Sequence, residues 1–151
     1  MWFFKISKKP KKRRVNLVYK ENKEKARKVI LERLNYFSPL CEVEYKRLAI
    51  RDTKRNWGSC SSLGNLNFNY KLLFLPACLR DYVVVHELCH LKELNHSPKF
   101  WLEVEKVMPD YRFFRQHLRI IEKSLGTSCA VLRIYQDKHE EEKGCPYCCA
   151  E

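Results

Sequence analysis

His86-Glu87-Leu88-Cys89-His90, followed by His96, is the stretch that decides how this 151-residue chain is read. On a helix, positions i and i+4 share a face, so the imidazoles of His86 and His90 converge on one point. Glu87 follows directly, close enough to reach a water held by a metal but not placed as a ligand. That is the arrangement in which a carboxylate acts as general base on a zinc-bound water. His96 lies beyond the expected helix end, where the chain can turn back and offer a third nitrogen. Three protein ligands and one open position describe a catalytic zinc site, whereas structural zinc is usually closed by four. A pentapeptide of this form also occurs in buried helices whose histidines are simply satisfied. Two features weigh against that reading. Leu79 to Leu94 is apolar over much of the helix circumference, as in a core helix, where imidazoles and a carboxylate need partners that a cation would supply. The third histidine then falls where a short turn completes the set.

Several further segments occur in a characteristic order. They are Trp57-Gly58-Ser59-Cys60, Asn65-Leu66-Asn67-Phe68-Asn69, the run from Tyr82 to Trp101, and Met108-Pro109-Asp110-Tyr111. With them the chain resembles the YgjP-like metal-dependent hydrolases, relatives of the WLM and SprT-type metallopeptidases, from about Leu48 to about Leu118. The resemblance implies zinc on His86, His90 and His96 with Glu87 as base. It says much less about substrate. The ligand spacing is similar to that of metzincins, but Glu93 stands where those enzymes carry glycine. SprT-type proteases usually place the third histidine further along, which favours the YgjP-like branch.

Length and 45% hydrophobic content fit one globular domain able to bury a core. No apolar run approaches the ~20 residues that cross a bilayer, so no membrane partner is expected. Met1-Trp2-Phe3-Phe4 is too short for a secretory h-region, and the expectation is a cytoplasmic protein. Its eight cysteines are then expected as reduced thiols. Cys41, Cys78 and Cys89 read as small buried hydrophobes; Cys60 follows the Trp-Gly-Ser motif, near the expected site. The formal net charge is +12, and residues 1–33 hold 13 Lys/Arg against 3 Glu. The densest cluster, Lys8 to Arg14, reads first as a solvated basic arm. It could also give non-specific affinity for nucleic acid or serve as a nuclear signal.

The domain plan expected is a basic N-terminal arm with strands (1–20), a metallohydrolase domain (21–125) and a C-terminal tail (126–151). Val15 to Tyr19 reads as a short strand. Glu21 to Phe37 reads as an amphipathic helix ended by Ser38-Pro39. Glu42 to Thr53 alternates like a strand, Asn56 to Asn65 is a loop or hairpin turn rich in Gly and Ser, and Leu66 to Tyr70 alternates again. Asn65 to Tyr70 is the candidate edge strand for substrate binding by strand addition, with Asn67 and Asn69 as contacts. Ser97-Pro98 is a helix start, a capping serine before proline. Phe100, Trp101 and Val104 in the helix it opens should pack under the zinc helix. A last helix runs from Pro109-Asp110-Tyr111 to about Leu125. In it Tyr111 is either a core aromatic or an oxyanion donor. Arg112, Arg115 and Arg119, solvated by default, are candidate holders of phosphate or carboxylate. The Cys145/Cys148 pair in the tail is half of a zinc knuckle, open to a second structural ion only if His139 or Cys129 joins it.

The fold class expected is α+β: a small antiparallel or mixed sheet with helices on one side and the HExxH helix central, as in zincins. The leading function is a zinc metallopeptidase. The same site acting on a nucleotide is the second reading; UTP pyrophosphatase activity is suggested by the family resemblance alone. A non-catalytic zinc module that binds nucleic acid through its arm is the third, and it leaves Glu87 without a task.

Overall fold

The computed structural model describes residues 16–125, which include four helices and three strands. The basic cluster Lys8–Arg14 and the tail with Cys145 and Cys148 lie outside the described residues. The first helix, α1 (Leu17–Cys41), is longer at both ends than the sequence pattern implies. Leu17 to Tyr19, expected as a strand of the arm, are helical. Asn16 caps them by accepting from the Tyr19 N–H, and the Tyr19 hydroxyl donates to the Ile50 carbonyl at 2.9 Å. Here tertiary contacts override the β-propensity of Val18 and Tyr19. Pro39 does not end the helix but sits in its last turn, where its missing N–H forfeits only the bond to Asn35. The helix closes with Glu42 in the left-handed region (φ 55°). The Glu42 and Val43 N–H groups donate to the carbonyls of Pro39 and Ser38 at 3.1 Å, a Schellman-type end.

The sheet is mixed, in the order β1-β3-β2. Strand β1 (Arg47–Arg51) occupies only the end of the expected alternating segment. Strand β3 (Asn65–Asn69) pairs parallel with it, Ile50 opposite Phe68. Between them in sequence, Gly58–Cys60 forms a short strand, β2, antiparallel to β3; the segment expected as a loop or hairpin turn is one arm of a hairpin and its turn. Its turn is closed by Gly64 at φ 77°, a conformation that favours glycine. Leu66 and Phe68 are buried on one face of β3, and their registered neighbours Gly58, Cys60, Leu48 and Ile50 share it.

That face meets the helices. After a 3₁₀ turn (Tyr70–Phe74), α2 (Ala77–Cys89) runs through the centre, against α1, β2, α3 (Pro98–Val107) and α4 (Tyr111–Leu125). Tyr82 to Val85, Leu88 and Cys89 are all buried, so α2 is apolar on nearly every side, as a central helix must be. It stops at Cys89, short of the Leu94 limit of its apolar stretch, and the chain turns back toward α3. The Ser97 hydroxyl accepts from the Phe100 N–H and Pro98 opens α3, as the sequence implies. Arg33 of α1 and Asp81 of α2 form a two-pronged ion pair, both contacts 2.7 Å. Among the described residues no helix is long and apolar enough to cross a membrane.

Candidate active site

The last turn of α2 and the reversal after it bring His86, His90 and His96 together, with one ring nitrogen of each within 4.8 Å of the others. Nε2 of His86 and Nε2 of His96 face each other at 3.0 Å. Two nitrogens on one tetrahedral zinc, each at about 2.0–2.1 Å, would stand roughly 3.3 Å apart, so the spacing suits a shared ion. The Glu93 carbonyl lies 2.9 Å from His90 Nδ1. It fixes that nitrogen as the donor and leaves Nε2 as the lone pair for a metal. Phe100, fully buried, is the floor of the cluster. It stacks on His90 with ring centroids 4.4 Å apart and meets His86 and His96 edge-on at 4.9 Å. Trp101 stacks against His96 on the outer side.

Burial, then the charges of His90, His96 and Arg115, push the His86 pKa down to about 3. His96 is lowered for the same leading reason. Both rings are therefore held neutral, the form that binds a metal. Glu87 lies beside them, and burial lifts its carboxyl to about 8. Its Oε2 and the Nδ1 of His86 are buried with no hydrogen-bond partner among the described residues. An unsatisfied carboxylate oxygen is costly in a core, and solvent held by a cation beside it answers that cost. The donor set fits zinc: three converging imidazoles and a carboxylate alongside.

Gly58 makes room for Glu87. A Cβ there would fall 2.6 Å from Glu87 Cγ and 2.7 Å from Oε1, so any side chain would collide with the carboxylate. Trp57, one residue earlier, is buried and donates its indole N–H to Glu122 of α4 at 2.9 Å. The thiol of Cys60, on the same face of β2 as Gly58, is pushed up to about 11 by burial and the nearby Glu87. Trp57, Gly58 and Cys60 belong to a segment quoted for its family resemblance. Their part at the site needed the strand pairing to become visible.

Of the four residues expected to contact substrate, Asn67 and Asn69 are placed differently, whereas Tyr111 and Arg112 lie beside His96. Strand β3 is central and paired on both sides, so it has no open edge for a peptide to join. Asn67 lies on the sheet face away from α2 and donates to the Ser59 hydroxyl. Asn69 is 1% exposed and donates to Thr53 and Asn56 oxygens, pinning the loop before β2. Among the described residues, the unpaired edge near Glu87 belongs to β2 instead. The Asn69 N–H donates to the Trp57 carbonyl, and the Ser61 N–H to the Asn65 carbonyl. By alternation, the backbone groups of Gly58 and Cys60 point to the free side. Tyr111 is buried and stacked on Trp101, with its hydroxyl accepting from Arg112 Nε at 3.3 Å. It is a packing aromatic at the rim of a 440 Å³ depression shared with His96 and Arg112. Arg115 holds its guanidinium 4.3 Å from the Trp101 ring centre, close enough for its charge to act on His86 and His96.

A central helix carrying this cluster, over a small mixed sheet, defines a metallohydrolase fold. The model of the YgjP-like metallopeptidase domain matches residues 3–120, and the chain belongs to that family. Two solved structures are similar. The metallopeptidase zymogen of Pyrococcus abyssi abylysin is 28% identical with a TM-score of 0.55, the match covering 63% of this chain and 94% of that one. The metallopeptidase zymogen of Methanocaldococcus jannaschii jannalysin is 25% identical with a TM-score of 0.53, covering 62% and 95%. A comparison with curated proteins finds no match.

Proposed function

We propose that the chain is a zinc metallopeptidase with Glu87 as its proton carrier. The observation that carries this is the buried Glu87 carboxylate, its Oε2 without a partner among the described residues, beside three converging imidazoles and next to β2. Zinc held by His86, His90 and His96 supplies Lewis acidity to a carbonyl and to the attacking water. Glu87 Oε2 takes the proton of that water and returns it to the leaving nitrogen. The backbone of Gly58 and Cys60 aligns an extended peptide by strand addition, so the scissile carbonyl passes between Glu87 and the histidines. The likeness to two metallopeptidase zymogens supports a peptide as substrate. The test is casein cleavage by zinc-loaded protein, with Glu87→Gln as control. Activity that survives the substitution rejects the reading.

One observation favours a second electrophile. Arg115 stands near the histidines without an ion pair among the described residues, and a phosphoryl group would complement its charge. On that reading UTP, not casein, is hydrolysed in a Glu87-dependent way, and Arg115→Met abolishes it.

A further inference from the structure

The three histidines do not stand on equally firm ground. His86 lies within α2 and His90 caps its end, but His96 comes from the irregular segment 91–97 that leads to α3. Groups carried on a loop hold their geometry only where a supporting shell locks the loop. The start of this segment is fastened by its backbone: the N–H groups of Lys92 and Glu93 donate to the Cys89 carbonyl at 3.1 and 3.0 Å. Its end is fastened by the Ser97 cap of α3. Between these points Leu94, Asn95 and His96 are exposed.

One side chain ties the segment to the rest of the fold by charge. Lys92 Nζ donates to Glu103 Oε2 of α3 at 2.9 Å and stands 3.6 Å from Glu42, just past the end of α1. The second Glu103 oxygen accepts from Lys106. A lone exposed ion pair would hold little. Here four charges converge, and the two central side chains are largely covered, Lys92 at 31% and Glu103 at 21% exposure. Glu103 also follows Phe100, the floor of the histidine cluster, by one turn of α3.

We infer that Lys92 and Glu103 are positioning residues for the metal centre. Their ion pair ties the segment that delivers His96, and the Glu93 carbonyl that orients His90, to the helix that floors the cluster. The inference rests on the three histidines being metal ligands and is independent of the substrate. Without the pair, the backbone bonds and the Ser97 cap still hold the fold, but His96 is free to leave its place. A site that samples its binding geometry a tenth of the time binds about tenfold more weakly.

The experiment measures zinc affinity of the full chain by competition with a chelating dye. Glu103→Gln and Lys92→Met should each raise the zinc Kd by about 10-fold, the lower end for groups that orient metal ligands. The double variant should lose no more than either single one, because both remove the same contact. Lys106→Met removes the other partner of Glu103 without touching the segment, and it should leave zinc affinity unchanged. With Co2+ in place of zinc, the visible absorption should shift in Glu103→Gln and not in Lys106→Met. Urea unfolding of the metal-free proteins should place these two variants at the same midpoint. Should Glu103→Gln fail to fold, Lys92→Met, which keeps the apolar stem, carries the same comparison. Zinc affinity and Co2+ absorption unchanged by the loss of Glu103 or Lys92, or lost equally in Lys106→Met, overturn the inference alone. A parent protein that takes up no zinc removes the metal-site reading and this inference with it.

Discussion

One helix, α2, meets its neighbours under two opposite rules. Toward α1, Asp81 grips Arg33 through two 2.7 Å contacts. Toward the cleft, Glu87 Oε2 is buried without a partner among the described residues. The carboxylate that ties α2 to the scaffold is answered by a side chain of the same fold. The one at the site is not. Even at the scaffold contact, burial outweighs the guanidinium and raises the Asp81 carboxyl, so this pair fixes the register of two helices more than it adds net stability.

The contrast can be broken most sharply at its reactive end. Glu87→Gln should lower hydrolysis by about 10²- to 10⁴-fold while zinc stoichiometry, measured by elemental analysis, stays unchanged. Zinc should also stabilise the protein. At about a hundredfold excess over Kd the gain is about 2.7 kcal/mol, read as a rise in Tm of about 5–10 °C. His96→Ala should lose most of that rise. Gly58→Ala tests the approach of β2 to Glu87. Displacing the carboxylate should cost about 10- to 100-fold in kcat/KM, and urea unfolding should show a smaller proportional loss. The smallest effect belongs to the scaffold: Asp81→Asn should destabilise by about 1–2 kcal/mol and leave zinc affinity alone. If Asp81→Asn weakened zinc binding instead, the two faces of α2 would be coupled and the contrast would fail.

Different parts of this arrangement were legible in the sequence to different degrees. The convergence of His86 and His90 follows from helical spacing. The start of α3 follows from Ser97-Pro98, because capping chemistry is local. Strand β2 was not legible, since Gly58-Ser59-Cys60 has almost no side-chain signal and pairs through its backbone. Strand order is not local either, which is why β3 was expected at an edge and Asn67 and Asn69 as substrate contacts. Pro39 was read as a stop although the helix had enough burial beyond it, at Cys41, to hold one more turn. The cavity beside His86 and Glu87 draws its walls from Trp57, from Tyr82 and Val83, and from Leu118, and no single window contains it.

Among the described residues, strand β2 leaves a three-residue edge unpaired. An open edge is a template for any extended chain, including another copy of the same protein. Two protruding rungs, Gly58 and Cys60, can hold a short piece of substrate beside Glu87. They offer too little length, and in Gly58 too little side chain, to nucleate edge-to-edge aggregation. The brevity that hides this strand from sequence reading is also its protection in a crowded solution.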